Sequence, residues 1–132
     1  MTEISLLRPE GLVHSPAFSH VAVVPAGAST IYVGGQNAVD AEGKMVGGDD
    51  VAEQTRQVMA NLVVALAAAG ATVHDLISVT ILIVDGADLG QAYPVAAQAL
   101  AGAVPTVSAM RVAGLTVAGA LLEVSAIAAV TP

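Results

Sequence analysis

Cysteine is missing from this chain, and only Arg8, Lys44, Arg56 and Arg111 carry permanent positive charge. Without cysteine there is no disulfide, no thiolate nucleophile and no thiolate-bound metal, which leaves the redox compartment open. The four cations are scattered and stand against eleven acidic residues, for a formal net charge of -7. Nucleic acids and anionic membranes, which are gripped by clustered Lys and Arg, are therefore excluded as expected partners. His14, His20 and His74 lie far apart with no carboxylate or second histidine at ligand spacing, so neither a metal site nor a cofactor is expected. Phosphate loops, dinucleotide glycine motifs and nucleophile elbows are also missing. The segment from Met1 to Ser5 lacks the basic and apolar pattern of a secretory signal, and a cytoplasmic location is the expectation. The long weakly polar run from Val112 to Val130 is broken by Gly114, Gly119 and a central Glu123, which argues against a membrane helix.

What the chain has in excess is apolar surface. At 132 residues it fits one domain, 1–132, yet 55% of its residues are hydrophobic and 11% charged. That balance predicts burial against another copy of the chain.

Val21–Val24 and Thr30–Val33 read as β-branched strands, the second running into Gly34-Gly35-Gln36. The paired glycines permit either a bulge or close approach by a ligand or neighbouring chain. Asp40 to Lys44 reads as a hairpin turn into a third strand at Met45-Val46. Asp50 with Glu53 has the form of a capping box, and Val51, Thr55, Val58, Leu62 and Leu66 follow at helical spacing until Gly70. Leu76 to Val84 predicts a strand covered on both faces, by the helix and by a partner subunit. Asp88 caps a second, alanine-rich helix through Leu89, Tyr93, Ala96, Ala97 and Leu100, which Gly102 and Pro105 end. Strands around Thr106 to Ala113 and Ala120 to Val130 complete the order βββ-α-β-α-ββ, a mixed α+β fold.

Glu123 is the only charge between Arg111 and the C-terminus. A carboxylate in so apolar a strand needs compensation, and physics alone leaves a paired structural role and a functional one equally open. Arg111 and Val107 share strand parity and lie on one face, roughly 13 Å apart. Ser19 and His20 are adjacent on a strand start, so their side chains leave opposite faces and do not form a direct pair.

The order and spacing of several landmarks resemble one family: Ser15 to His20, Tyr32-Val33-Gly34-Gly35-Gln36, Asn61-Leu62, Ala69-Gly70-Ala71, Pro105 with Ser108, Val112-Ala113-Gly114-Leu115, and Leu122-Glu123-Val124. The chain is similar over nearly its whole length to the Rid family, the reactive intermediate deaminases also called YjgF-like proteins. The resemblance implies a chorismate-mutase-like α+β sandwich, a mixed sheet of about six strands with two helices on one face. It also implies a homotrimer with small-molecule clefts between subunits.

In the deaminating branch an arginine two residues after the proline binds the substrate carboxylate, and a glutamate near the C-terminus positions the hydrolytic water. Carried over, the resemblance makes Glu123 the catalytic residue, but Val107 stands where the arginine would be. Phe18 replaces a tyrosine, Gly34 a serine and Tyr93 an asparagine, while Ser108 is retained. With Gly35 these are the candidate ligand-binding residues. Valine offers no charge and no donor for a carboxylate, so the expected ligand is neutral or cationic, a small imine, amine or amide. Hydrolysis of such a C–N compound through Glu123 is the leading expectation. The alternatives are a genuine 2-iminobutanoate/2-iminopropanoate deaminase in which Arg111 serves instead, and a non-catalytic metabolite-sensing module.

Overall fold

The computed structural model describes residues 3–132; Met1 and Thr2, part of the segment read against a secretory signal, lie outside the described residues. The securest element of the sequence is the helix α1, Val51–Ala68. Asp50 caps it as expected, its side chain accepting from the backbone N–H groups of Ala52 and Glu53. Glu53 does not complete a reciprocal box; its carboxylate pairs with Arg56, one turn along. At the other end the Gly70 N–H donates to Ala67 O and the Ala71 N–H to Leu66 O, the paired bonds of a Schellman motif, with Gly70 at φ 77°. The buried stripe Val58, Met59, Leu62 and Leu66 packs on the sheet.

Among the described residues six strands accompany it: β1 (Ser5–Leu7), β2 (Val21–Val23), β3 (Ser29–Gln36), β4 (Leu76–Val84), β5 (Thr106–Val112) and β6 (Leu122–Val130). With the second helix, α2 (Leu89–Leu100), the chain order is βββ-α-β-α-ββ as expected; β2 and β3 are the strands expected at Val21–Val24 and Thr30–Val33, but the third expected strand is replaced by one nearer the N-terminus. Met45-Val46 forms no strand. The hairpin closes, Asp40 N–H donating to Lys44 O, but only an isolated bridge joins Val39 and Met45, and Gly47 and Gly48 turn the chain away at positive φ. The extra strand is Ser5–Leu7 in the N-terminal arm, which pairs antiparallel with β2 as a separate two-stranded sheet.

The remaining four strands form a mixed sheet in the order β3-β6-β4-β5. Only the β4–β5 pair is parallel, joined through α2, as a crossover requires. Both helices cover one face. Leu122, Val124, Ala126 and Ala128 of β6 are buried on that side, whereas Glu123, Ser125 and Ile127 alternate onto the other face and are only half-buried. The uncovered face also carries Tyr32, which is 77% exposed, and Met110. Among the described residues no helix is long and apolar enough to cross a membrane.

The small sheet joins the large one through Ser19, whose N–H donates to Pro105 O and which bridges Thr106. Ser19 is 1% exposed and its Oγ has no hydrogen-bond partner among the described residues. A stranded buried hydroxyl costs about 1–3 kcal/mol, so Ser19→Ala should make the protein more stable. Urea unfolding at fixed chain concentration checks this, and a loss of stability would contradict it.

Candidate functional site

Glu123 sits on β6 opposite Leu82 of β4, which in turn pairs with Met110 of β5. These three side chains form one row across the uncovered face. Two buried amides fix the backbone that leads into it. The Gln54 side chain, fully buried on α1, accepts from the Leu121 N–H at 2.8 Å and donates to Gly48 O and Gly119 O. Asn37 donates to Leu122 O at 3.2 Å, and Asn61 in turn holds the carbonyls of Asn37 and Val39.

Gly34 and Gly35 lie where the β3–β6 register shifts, between Val33 and Gln36, so the bulge reading holds. A close approach is also present, though not from the ligand or neighbouring chain expected but from within the same chain. A Cβ built on Gly35 would fall 2.6 Å from Cδ and 2.7 Å from Oε2 of Glu123. Gly35 is thus the floor against which the carboxylate lies, and only glycine leaves it that space. At Gly34 an added Cβ would meet nothing. Among the described residues no side chain hydrogen-bonds or ion-pairs with the Glu123 carboxylate.

Val107 lies on the other side of the sheet. It pairs with Val79, a core residue under the helices, while Ser108 pairs with Thr80, which is opposite Ser125. Ser108 therefore shares the face of Glu123, and Val107 faces α2. There Val107 meets Phe18 and Tyr93 around one cavity of about 330 Å³. Ile81, Leu89 and Ala109 contribute to its walls, and no lining residue is charged. Tyr93 supplies the only polar side-chain atom in that lining. Phe18 is steadied from behind, its ring edge-on to His20 with centroids 5.3 Å apart and its carbonyl accepting from Arg8 Nε.

The seven candidate residues thus separate into two groups. Phe18, Tyr93 and Val107 surround the apolar cavity; Glu123, Gly35 and Ser108 belong to the uncovered face, with Gly34 at its edge in the bulge. Arg111 does not join either. It pairs with Ile83, hence shares the Val107 face as parity required, but its Nη1 donates to Ala87 O at 3.1 Å before α2 and it is not among the cavity's lining residues. The amides of Gln54 and Asn37, which orient the Glu123 strand, were not singled out in the sequence. Gln54 falls within the apolar stripe of α1, and a glutamine there was the available signal.

The profile of the family described as endoribonuclease L-PSP matches residues 12–130. The chain belongs to the Rid family. Its Rid relatives include a protein of the mouse, Mus musculus, described as 2-iminobutanoate/2-iminopropanoate deaminase, 34% identical over 104 residues that make up 78% of this chain and 76% of the relative. Among solved Rid structures, YyfB from Yersinia pestis is 32% identical, with a TM-score of 0.85 over 98% of this chain and all of the other. TdcF from E. coli, solved with bound serine, is 25% identical, with a TM-score of 0.71 over 92% of this chain and 100% of its own. The Rid likeness accounts for the mixed sheet with two helices on one face.

Proposed function

We propose that this Rid protein works as a homotrimer and takes a small neutral or cationic C–N compound in a cleft between subunits. Phe18, Tyr93 and Val107 of one copy would form the apolar wall, and Glu123 of a neighbouring copy the reactive edge. The back-to-back placement of Val107 and Glu123 supports a shared site, since one chain cannot present both to a single small ligand across its own sheet. The uncovered sheet face, with Tyr32, Leu82, Met110 and Ile127 among its side chains, supports association, and the Rid likeness supports three copies.

The observation that carries the ligand class is the uncharged lining around Val107. A ligand carboxylate there would lose its hydration and gain no cation, whereas the Tyr93 hydroxyl can donate to or accept from a neutral head group. The volume, near the lower end of the usual 300–1,000 Å³ for ligand sites, suits a metabolite-sized molecule. In the reaction, the Glu123 carboxylate takes a proton from water as the water oxygen adds to the C=N carbon. That proton passes to nitrogen to give an amino alcohol; the carboxylate then moves the remaining hydroxyl proton to nitrogen as the C–N bond breaks, and a carbonyl compound and ammonia leave. RNA, despite the description attached to the family profile, is disfavoured by the net charge of -7.

The mouse relative's description favours a second reading, hydrolysis of 2-imino acids. Arg111 is the cation this would need, and its bond to Ala87 O holds it away from the cavity. An assay separates the two. With 2-iminobutanoate generated in situ, the protein should be at least about tenfold slower than a Rid protein bearing the arginine, and sedimentation should give three times the 13.0 kDa chain mass. Turnover equal to the arginine-bearing protein would sink the neutral-ligand reading, and a monomer would sink the shared cleft.

A further inference from the structure

Helix α2 turns Leu89, Ala92, Tyr93, Ala96 and Leu100 toward the sheet, with alanines at the middle of the stripe. A methyl group reaches too short a distance to fill the space between helix and sheet, and a second cavity of about 60 Å³ lies there. Its inner end is walled by Met59, Ala92, Leu122 and Val124. Five residues, Ile81, Leu89, Tyr93, Ala96 and Leu100, line both this cavity and the larger one beside Val107. The two are therefore adjoining chambers, the outer open at Tyr93 and the inner ending in the core behind the strand that bears Glu123.

The surface exposed to the inner chamber is entirely apolar, Tyr93 contributing no polar atom to it, so a water there would find no hydrogen-bond partner on its walls. Its volume exceeds the roughly 10–15 Å³ needed to admit one water but falls well short of the roughly 150 Å³ cavity known to take benzene. It suits a short aliphatic chain and not an aromatic ring. Filling it replaces missing dispersion contacts and displaces no bound water.

We infer that the inner chamber is a subsite for a short aliphatic arm of the ligand, so that the preferred compound is a neutral C–N molecule with an unbranched alkyl tail. This rests on the neutral-ligand reading above and adds where the tail goes and how its length is measured. Ala92 is the residue that sets the depth, because it lines the inner chamber alone and any larger side chain there fills it.

The test uses the primary amides acetamide, propanamide, butanamide and pentanamide, titrated into the full-length protein by calorimetry. Affinity should rise about fourfold per added methylene through pentanamide. In Ala92→Leu the rise should be lost. As a check that does not depend on that variant folding, pentanamide but not acetamide should shift the methyl NMR signals of Leu122 and Val124 in the wild-type protein. Equal affinity along the series would overturn the tail subsite while leaving the neutral-ligand reading standing. A rise that survives in folded Ala92→Leu, or leaves the Leu122 and Val124 methyls unmoved, would overturn it too. Failure of every amide to bind would overturn both.

Discussion

Val107→Arg should raise 2-iminobutanoate hydrolysis by roughly 30- to several-thousand-fold over the wild-type chain, the range expected for restoring a desolvated charge-assisted pair worth about 2–5 kcal/mol. The position admits the change. Val107 opens onto a cavity of about 330 Å³ with no charged lining residue, so the aliphatic stem of an arginine can lie along Ile81 and Ala109 while its guanidinium reaches the mouth by Tyr93. The planar fork would then offer a carboxylate two parallel N–H bonds, which valine cannot. The gain should appear for anionic substrates and reverse for neutral ones, because an uncompensated guanidinium repels a cationic ligand and crowds a neutral one. Steady-state kinetics on both classes checks this; a variant that folds, keeps its oligomeric mass and gains nothing would show that the anion specificity of this cleft does not rest at residue 107.

The second large effect concerns the carboxylate. On the C–N substrate that the protein turns over, Glu123→Gln is expected to lower kcat by about 10²–10⁴-fold, the usual contribution of a general base. Ligand binding should change far less, which separates catalysis from the sensing role. Gly35→Ala gives the same test without touching the glutamate. The new Cβ would meet the Cδ and Oε2 atoms, the far end of a flexible side chain, so the carboxylate can swing aside at small cost in stability. Displaced by an ångström or more, it should lose about 10²-fold in rate. Thermal melts on the same sample distinguish the outcomes. Retained rate in Gly35→Ala would mean that the carboxylate position is immaterial, and full turnover in Glu123→Gln would remove Glu123 from the chemistry.

Much of the fold could be read because its signals are local. The Asp50 cap, the apolar stripe from Val51 to Leu66 and the Gly70 terminator are each contained within a few residues, and α1 has those bounds. The β-branched run Leu76–Val84 is likewise its own signal, and it is the full length of β4. The strand at Ser5–Leu7 was missed and Met45-Val46 was wrongly read as one, because a strand of two or three residues exists by virtue of its partner. Ser5 to Leu7 has one in β2, while Met45 has a single bridge before Gly47 diverts the chain. The Gly34-Gly35 pair signalled a bulge or a close approach without saying what would approach, and Glu123 does so from a strand almost ninety positions further along.

Parity within β5 correctly set Arg111 on the same face as Val107, since one strand carries that information. Whether Val107 and Glu123 share a face depends on the registers β5–β4 and β4–β6 together. A slip of one residue in either would reverse the answer, and no local pattern in the sequence encodes that register. That relation turns a presumed pair of site residues into two separate faces, and makes a neighbouring copy necessary to the account.

Calorimetric titration of butanamide and of butanoate into the same wild-type protein tests the central claim most directly, since the two ligands have similar size and differ in charge. The account predicts that butanamide binds and that butanoate binds at least about tenfold more weakly, having no cation beside Val107 to replace its water. Tighter binding of butanoate would contradict it.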